Sequence, residues 1–173
     1  MGAPGLQRNR DTETVMLNDE IRQILREELE VLRERIIQNM GRADQIVTGK
    51  TRDSLTVTTG EQATGAYGVL TGRQAFATLE TGSRPWSRPP ARVPKFFADL
   101  IGEWIEAKGL DLNQWAVAHT LIHKGSKLYR TGGRADIYTP EIAQTMENLG
   151  NRILERYAVL VIDRLNFNTT IKL

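Results

Sequence analysis

Asn18–Gly60 reads NDEIRQILREELEVLRERIIQNMGRADQIVTGKTRDSLTVTTG, and two hydrophobic periods meet inside it. Up to Met40, the apolar residues Ile21, Leu25, Leu29, Leu32, Ile36 and Met40 recur close to the helical period. Asn18 precedes them as a cap, with Asp19 and Glu20 in the first turn where acids suit the helix dipole. The opposite face interleaves Arg22, Arg26, Glu30, Arg33 and Glu34 and reads as a solvated surface. After Gly41 the period drops to two. Ser54, Leu55, Thr56, Val57, Thr58 and Thr59 alternate and are rich in branched side chains, as a half-buried strand requires.

Downstream of Gly60, a second strand is expected from Ala66 to Leu70, and Ala75–Leu79 reads as a third. The expected class is therefore α+β: a small antiparallel sheet of three to four strands, flanked by an N-terminal amphipathic helix and several C-terminal helices. Residues 82–94, GSRPWSRPPARVP, hold four prolines and predict a stiff extended loop. Pro94 suits a helix start, and Phe96, Phe97, Leu100, Ile101, Trp104 and Ile105 form an apolar stripe ending at Gly109. A further helix is expected from Asp111 to near Gly125, with Leu112, Trp115, Ala116 and His119 on one face. The basic, glycine-rich run KGSKLYRTGGRAD follows. Thr139-Pro140-Glu141 then opens a long helix over 140–165, carried by Ile142, Met146, Leu149, Ile153, Tyr157, Leu160 and Leu165. At 1.5 Å per residue it would extend about 39 Å and protrude or pack across a neighbour.

Residues 1–16 are polar, lack an apolar period and are expected to form a flexible arm, leaving 17–173 as a single domain. The chain has 173 residues, 40% hydrophobic and 25% charged, a size that suits one core. Its 23 Lys plus Arg against 21 Asp plus Glu leave a net charge of +2, so nucleic-acid contact would have to come from local patches. The absence of cysteine removes disulfides, thiolate metal sites and thiol nucleophiles. No signal-peptide pattern, membrane span or myristoylation signal is expected.

Catalytic constellations are thin. The TGKT string at Thr48–Thr51 has Asp44 where a phosphate-binding loop needs its first glycine. His119 and His123 have the four-residue spacing that lets two imidazoles share a metal, but Thr120 stands where a zincin has its glutamate and no third ligand is apparent. They read as a surface pair, so no metal site and no cofactor are expected. Glu80 beside a glycine turn and Asp136 after a glycine pair are not linked by any motif. Glu80 reads as a carboxylate that closes a turn or meets an arginine across a subunit interface.

Charge segregation is the stronger signal. Arg84, Arg88, Arg92 and Lys95 occur without an intervening acid, as do Lys124, Lys127, Arg130 and Arg134, both sets in Gly- or Pro-rich stretches. Such loops on a rigid scaffold are suited to face DNA or an acidic protein surface. Trp86, between Pro85 and Ser87, is a candidate interface anchor or a cover for the local core.

The order of these features resembles the neck, head–tail joining and tail-completion proteins, minor tail components, of long-tailed double-stranded DNA bacteriophages. After the opening amphipathic helix, Thr48-Gly49-Lys50-Thr51-Arg52-Asp53-Ser54-Leu55 is similar to that family's "TG.LR.S(I/L)" lead-in to the first strand. Ala75-Phe76-Ala77-Thr78-Leu79-Glu80-Thr81-Gly82-Ser83-Arg84-Pro85 is similar to its "YA.(Y/F)(V/L)E.G(T/S)" segment before a Pro-rich loop, with Phe76 in the commoner tyrosine position. The resemblance spans about residues 18–108; the part after Gly109 is longer than the compact family pattern. It implies a non-enzymatic subunit of a homo-oligomeric ring, six or twelve copies, with the genome passing through the middle. The partners implied are the adjoining portal, head-closure, tail-tube or terminator proteins, with non-specific contact to double-stranded DNA and none to membrane. The location implied is the virion neck or tail, assembled in the host bacterial cytoplasm. The alternatives are a stand-alone nucleic-acid-binding module using the same two basic loops, and an enzyme centred on Glu80 or on His119 and His123.

Overall fold

A computed structural model describes the backbone of residues 4–62 and 65–170 and the side chains of 16–62, 65–159, 161 and 162. The elements are α1 (Pro4–Arg42), β1 (Thr56–Gln62), β2 (Gly65–Thr71), a 3-10 turn (Gln74–Ala77), α2 (Thr78–Thr81), α3 (Lys95–Ala107), α4 (Gln114–Lys124), α5 (Lys127–Arg130) and α6 (Thr139–Thr170). The protein is thus mixed helix and sheet, with a two-stranded antiparallel sheet of order β1-β2.

Several expected boundaries move. α1 begins at Pro4 instead of Asn18, so residues 4–16, read as an arm, are helical. No glycine or proline lies between Gly5 and Gly41 to stop the helix. Residues 1–3 of that arm lie outside the described residues, as do the side chains of Leu160 and Leu165. The third strand expected at Ala75–Leu79 is helical, the 3-10 turn running into α2. Its Ala-rich composition suits a helical turn, and the turn places Phe76 against Tyr138, ring centroids 5.1 Å apart. The three-to-four-stranded sheet is corrected to two. α4 starts at Gln114, not Asp111, because the Asn113 side chain accepts hydrogen bonds from the Trp115 and Ala116 amides. The last helix extends to Thr170.

The length suggested one core, whereas the contacts group into two compact units. The first comprises residues 1–34, 57–71 and 141–173. In it α1 buries Ile21, Leu29 and Leu32, and α6 buries Leu149 and Thr145. The two helices run antiparallel and are stitched by ion pairs: Arg152 reaches Glu27 at 2.7 Å and Glu28 at 2.9 Å, and the Arg156 guanidinium forks onto the Glu20 carboxylate. Arg22 and Arg26, expected on a solvated face, keep solvent contact and also bond the hairpin: Arg22 donates to Glu61 at 3.1 Å and Arg26 to the Thr59 hydroxyl at 3.3 Å. Gly68 of β2 lies against Leu25 and Leu29, and a methyl there would press into Leu29 at 2.7 Å.

The second unit comprises residues 35–56 and 72–140. Ile36, Met40, Ile122 and Ile137 are its largest fully buried side chains, joined by Leu55, Ala98, Ile105 and Ala118. α3 and α4 pack against each other, and α3 buries Ala98 and Ile105 while α4 buries Ala118 and Ile122. Two polar ties anchor the end of α1 within this unit: Asn39 Nδ2 donates to the Ile137 carbonyl at 3.1 Å, and Gln45 Nε2 to the Leu79 carbonyl at 3.0 Å.

Candidate functional site

The site grows from Glu80, a carboxylate in a four-residue helix with only 3% of its surface exposed. Glu80 Oε1 accepts the backbone N–H groups of Ile137 (2.8 Å), Tyr138 (2.7 Å) and Thr139 (3.0 Å), and Oε2 accepts the Thr139 hydroxyl. These donors belong to the first residues of α6 and the two before it, where unsatisfied amides and the helix dipole favour an anion. Burial pushes the Glu80 carboxyl upward, and the bonds from Thr139, Tyr138 and Ile137 outweigh it, so it lies below its ordinary value. Glu80 therefore closes a turn of its own chain. Its backbone oxygen adds a further tie, accepting the Arg134 N–H at 2.8 Å.

That anchor fixes where the two basic stretches run, and the structure brings them side by side. Ser83 N–H donates to Ser126 Oγ at 3.0 Å, Ser126 N–H returns a bond to the Ser83 carbonyl at 2.8 Å, and Trp86 N–H donates to the Ile122 carbonyl at 2.9 Å. Two glycines permit this approach. Gly82 has φ 71° and a methyl on it would collide with the Tyr129 backbone nitrogen and Ser126 Oγ; Gly125 has φ 73° and a methyl there would lie 2.7 Å from the Ser83 carbonyl oxygen. Ser126 Oγ also accepts the Tyr129 N–H, capping α5, so part of the expected glycine-rich loop is one helical turn.

Arg84 thus lies next to the Ser83–Ser126 pairing, and Lys124 and Lys127 flank that same pairing on the other strand of chain. Arg88 and Arg92 are exposed in the irregular Pro-rich segment 82–94, and Arg130 is exposed at the end of α5. Among the described residues, Arg84, Arg88, Arg92, Lys124, Lys127 and Arg130 have no acidic partner. The other two predicted cations are engaged: Lys95 meets Asp99 one turn along α3 at 2.7 Å, and Arg134 is forked onto Asp136. The bond to Asp136 raises Arg134 above its usual range and lowers Asp136 below the ordinary carboxylate range.

Trp86 is 36% exposed and packs on Phe97, ring centroids 5.3 Å apart, so it braces the loop against α3 while keeping an edge in solvent. His119 and His123 are exposed on α4 with ring centroids 4.3 Å apart. No group of three or more potential metal-ligating side chains occurs among the described residues. Residues 46–54 form turns after α1, and no strand leads into Thr48–Thr51. Among the described residues, no helix is long and apolar enough to cross a membrane. Sequence reasoning found the cations but not the scaffold that joins them: Gly82, Ser83, Gly125 and Ser126. The only signal was a Gly-Ser dipeptide at both places.

No family model, curated protein or solved structure matches the chain.

Proposed function

We propose that this chain is a structural virion protein of the neck or tail top of a long-tailed double-stranded DNA bacteriophage, a non-enzymatic subunit of a homo-oligomeric ring of six or twelve copies. The ring joins head or portal to tail, and the genome passes through it. The observation that carries the reading is the pairing of two basic stretches through Ser83 and Ser126, 43 residues apart, with six cations in those stretches that have no acidic partner among the described residues. Phosphate contacts from such cations carry no sequence information and weaken with salt, which suits a conduit that must let DNA slide. The order of the two sequence motifs supports the same reading. Exposed apolar helix faces, including Phe96 at 70% and Leu154 at 69%, supply surface for neighbouring copies and for portal, head-closure, tail-tube or terminator proteins.

The second reading, a stand-alone nucleic-acid-binding module, rests on the same unpaired cations without the motif order or a use for the exposed apolar faces. The test is Arg88→Glu together with Arg130→Glu. Both residues are exposed and have no partner among the described residues, so the melting temperature and the oligomer mass stay as in the parent. Contact with duplex DNA weakens, its log–log salt slope falls by roughly 2, and virion joining is impaired. Unchanged DNA contact and normal infectious yield would overturn the assignment of this surface. Tight, salt-steep DNA binding by a parent protein that stays monomeric would favour the stand-alone module.

A further inference from the structure

Two apolar faces of this chain are left uncovered, and they differ in shape and charge. The first is the outer face of α6. Ala143, Glu147, Gly150, Leu154, Tyr157 and Val161 follow one another at alternating spacings of four and three, the 3.5-residue period of a helix seam. All are exposed, Leu154 at 69%, Val161 at 55% and Tyr157 at 48%, while α6 buries Thr145 and Leu149 on its other side. Gly150 has open space around it, so a second surface can approach the helix backbone closely there. Among the described residues, the charges on and beside this face are the exposed Glu147 and Glu155, neither with a partner.

The second face is a groove of about 470 Å³ in the unit formed by residues 35–56 and 72–140. Its wall includes Leu100 and Trp104 of α3 together with Trp86, exposed at 50%, 37% and 36%. Arg73 and Arg84 line the same groove, exposed and with side chains that have no partner among the described residues. The remaining charges of the groove cancel locally, Lys50 on Glu103 and Arg52 on Asp53.

We propose that the outer face of α6 of one copy docks in the α3 groove of the next, with Leu154, Tyr157 and Val161 against Leu100, Trp104 and Trp86, and Glu147 and Glu155 toward Arg73 and Arg84. The seam rests on the ring reading above and specifies it. A ring needs a head-to-tail contact between two different patches, and the protein presents one apolar face with two free acids and another with two free arginines.

Complementation tests the seam. Full-length Leu154→Glu/Tyr157→Glu (helix face spoiled) and Trp104→Glu (groove spoiled) are purified separately and mixed, with Leu100→Glu as a second groove variant and melting curves checking that each folds. Each variant alone loses self-association by roughly thirtyfold or more, and the mixture of one of each recovers a species of two chains and no larger. A groove variant that still assembles like the parent overturns the seam while leaving the ring reading standing. A parent protein that remains a monomer at all concentrations overturns both.

Discussion

Glu80 shows how one buried carboxylate ties two distant segments together. Its four acceptor bonds tie the segment before α2's glycine stop to the start of α6, 57 to 59 residues away. Glu80→Ala strands three amides and a hydroxyl and should cost roughly 3 kcal/mol in denaturant unfolding. Glu80→Gln should cost clearly less, since its carbonyl can still take the amides while its NH₂ faces the Thr139 hydroxyl. A cost for Gln equal to that of Ala would show that charge, and not acceptor geometry, holds the turn. Because the folded carboxyl lies below its ordinary 4.5, its contribution is complete above that pH and is lost as pH falls through the folded-state value. Acid-unfolding curves of Glu80→Gln should therefore show a shallower loss of stability below about pH 4.5 than the parent. The same reasoning separates the glycines. Gly82→Ala and Gly125→Ala meet backbone atoms at positive φ and should each destabilise by at least about 2 kcal/mol, whereas Gly109→Ala, at φ 63° with open space, should cost only about 1 kcal/mol. Equal melting temperatures for Gly82→Ala and Gly109→Ala would remove the close approach from the account. At this scale, a sequence shows a carboxylate beside a glycine turn but not the amides it meets, because those come from a distant segment.

At the scale of elements, legibility followed periodicity. The helices with a clear apolar stripe, α1 over its second half, α3 and α6, stand where their spacing puts them; the second strand overlaps its expected span, while the first runs from Thr56 to Gln62, two residues later than the alternation from Ser54 suggests. Ala75–Leu79 was misread because five residues of mixed apolar and small side chains satisfy both periods, and the contact of Phe76 with Tyr138 decides for the helical turn. The beginning of α1 was hidden because a helix without an apolar face leaves no periodic signal. The basic loops were visible as composition, but their adjacency was not, since it depends on hydrogen bonds between Ser83 and Ser126. The Ser126→Ala change tests that adjacency: it removes the acceptor for both the Ser83 and Tyr129 amides. Hydrogen exchange at those two amides should accelerate by about an order of magnitude or more while the α3 and α4 amides keep their protection. Unchanged exchange at Ser83 would mean that the two basic stretches are not held together by this tie.

For the molecule as a whole, a net charge of +2 hides a strong local asymmetry. Among the described residues, Asp19, Glu20, Glu27 and Glu28 of α1 pair with Arg22, Arg156 and Arg152, whereas the cations around the Ser83–Ser126 pairing have no acidic partner. Any attraction for phosphate that this distribution supports would be local and salt-sensitive, not that of a general polyanion binder. The proposed DNA conduit calls for that combination, with exposed apolar faces proposed to meet neighbouring copies. Ring formation is read from light scattering of the full chain across concentration and salt, with electron imaging of the largest species. A ring-forming subunit gives closed rings of about 117 or 234 kDa, six or twelve copies of 19.5 kDa, without DNA. A protein that stays at 19.5 kDa and changes mass only when duplex DNA is added would contradict it.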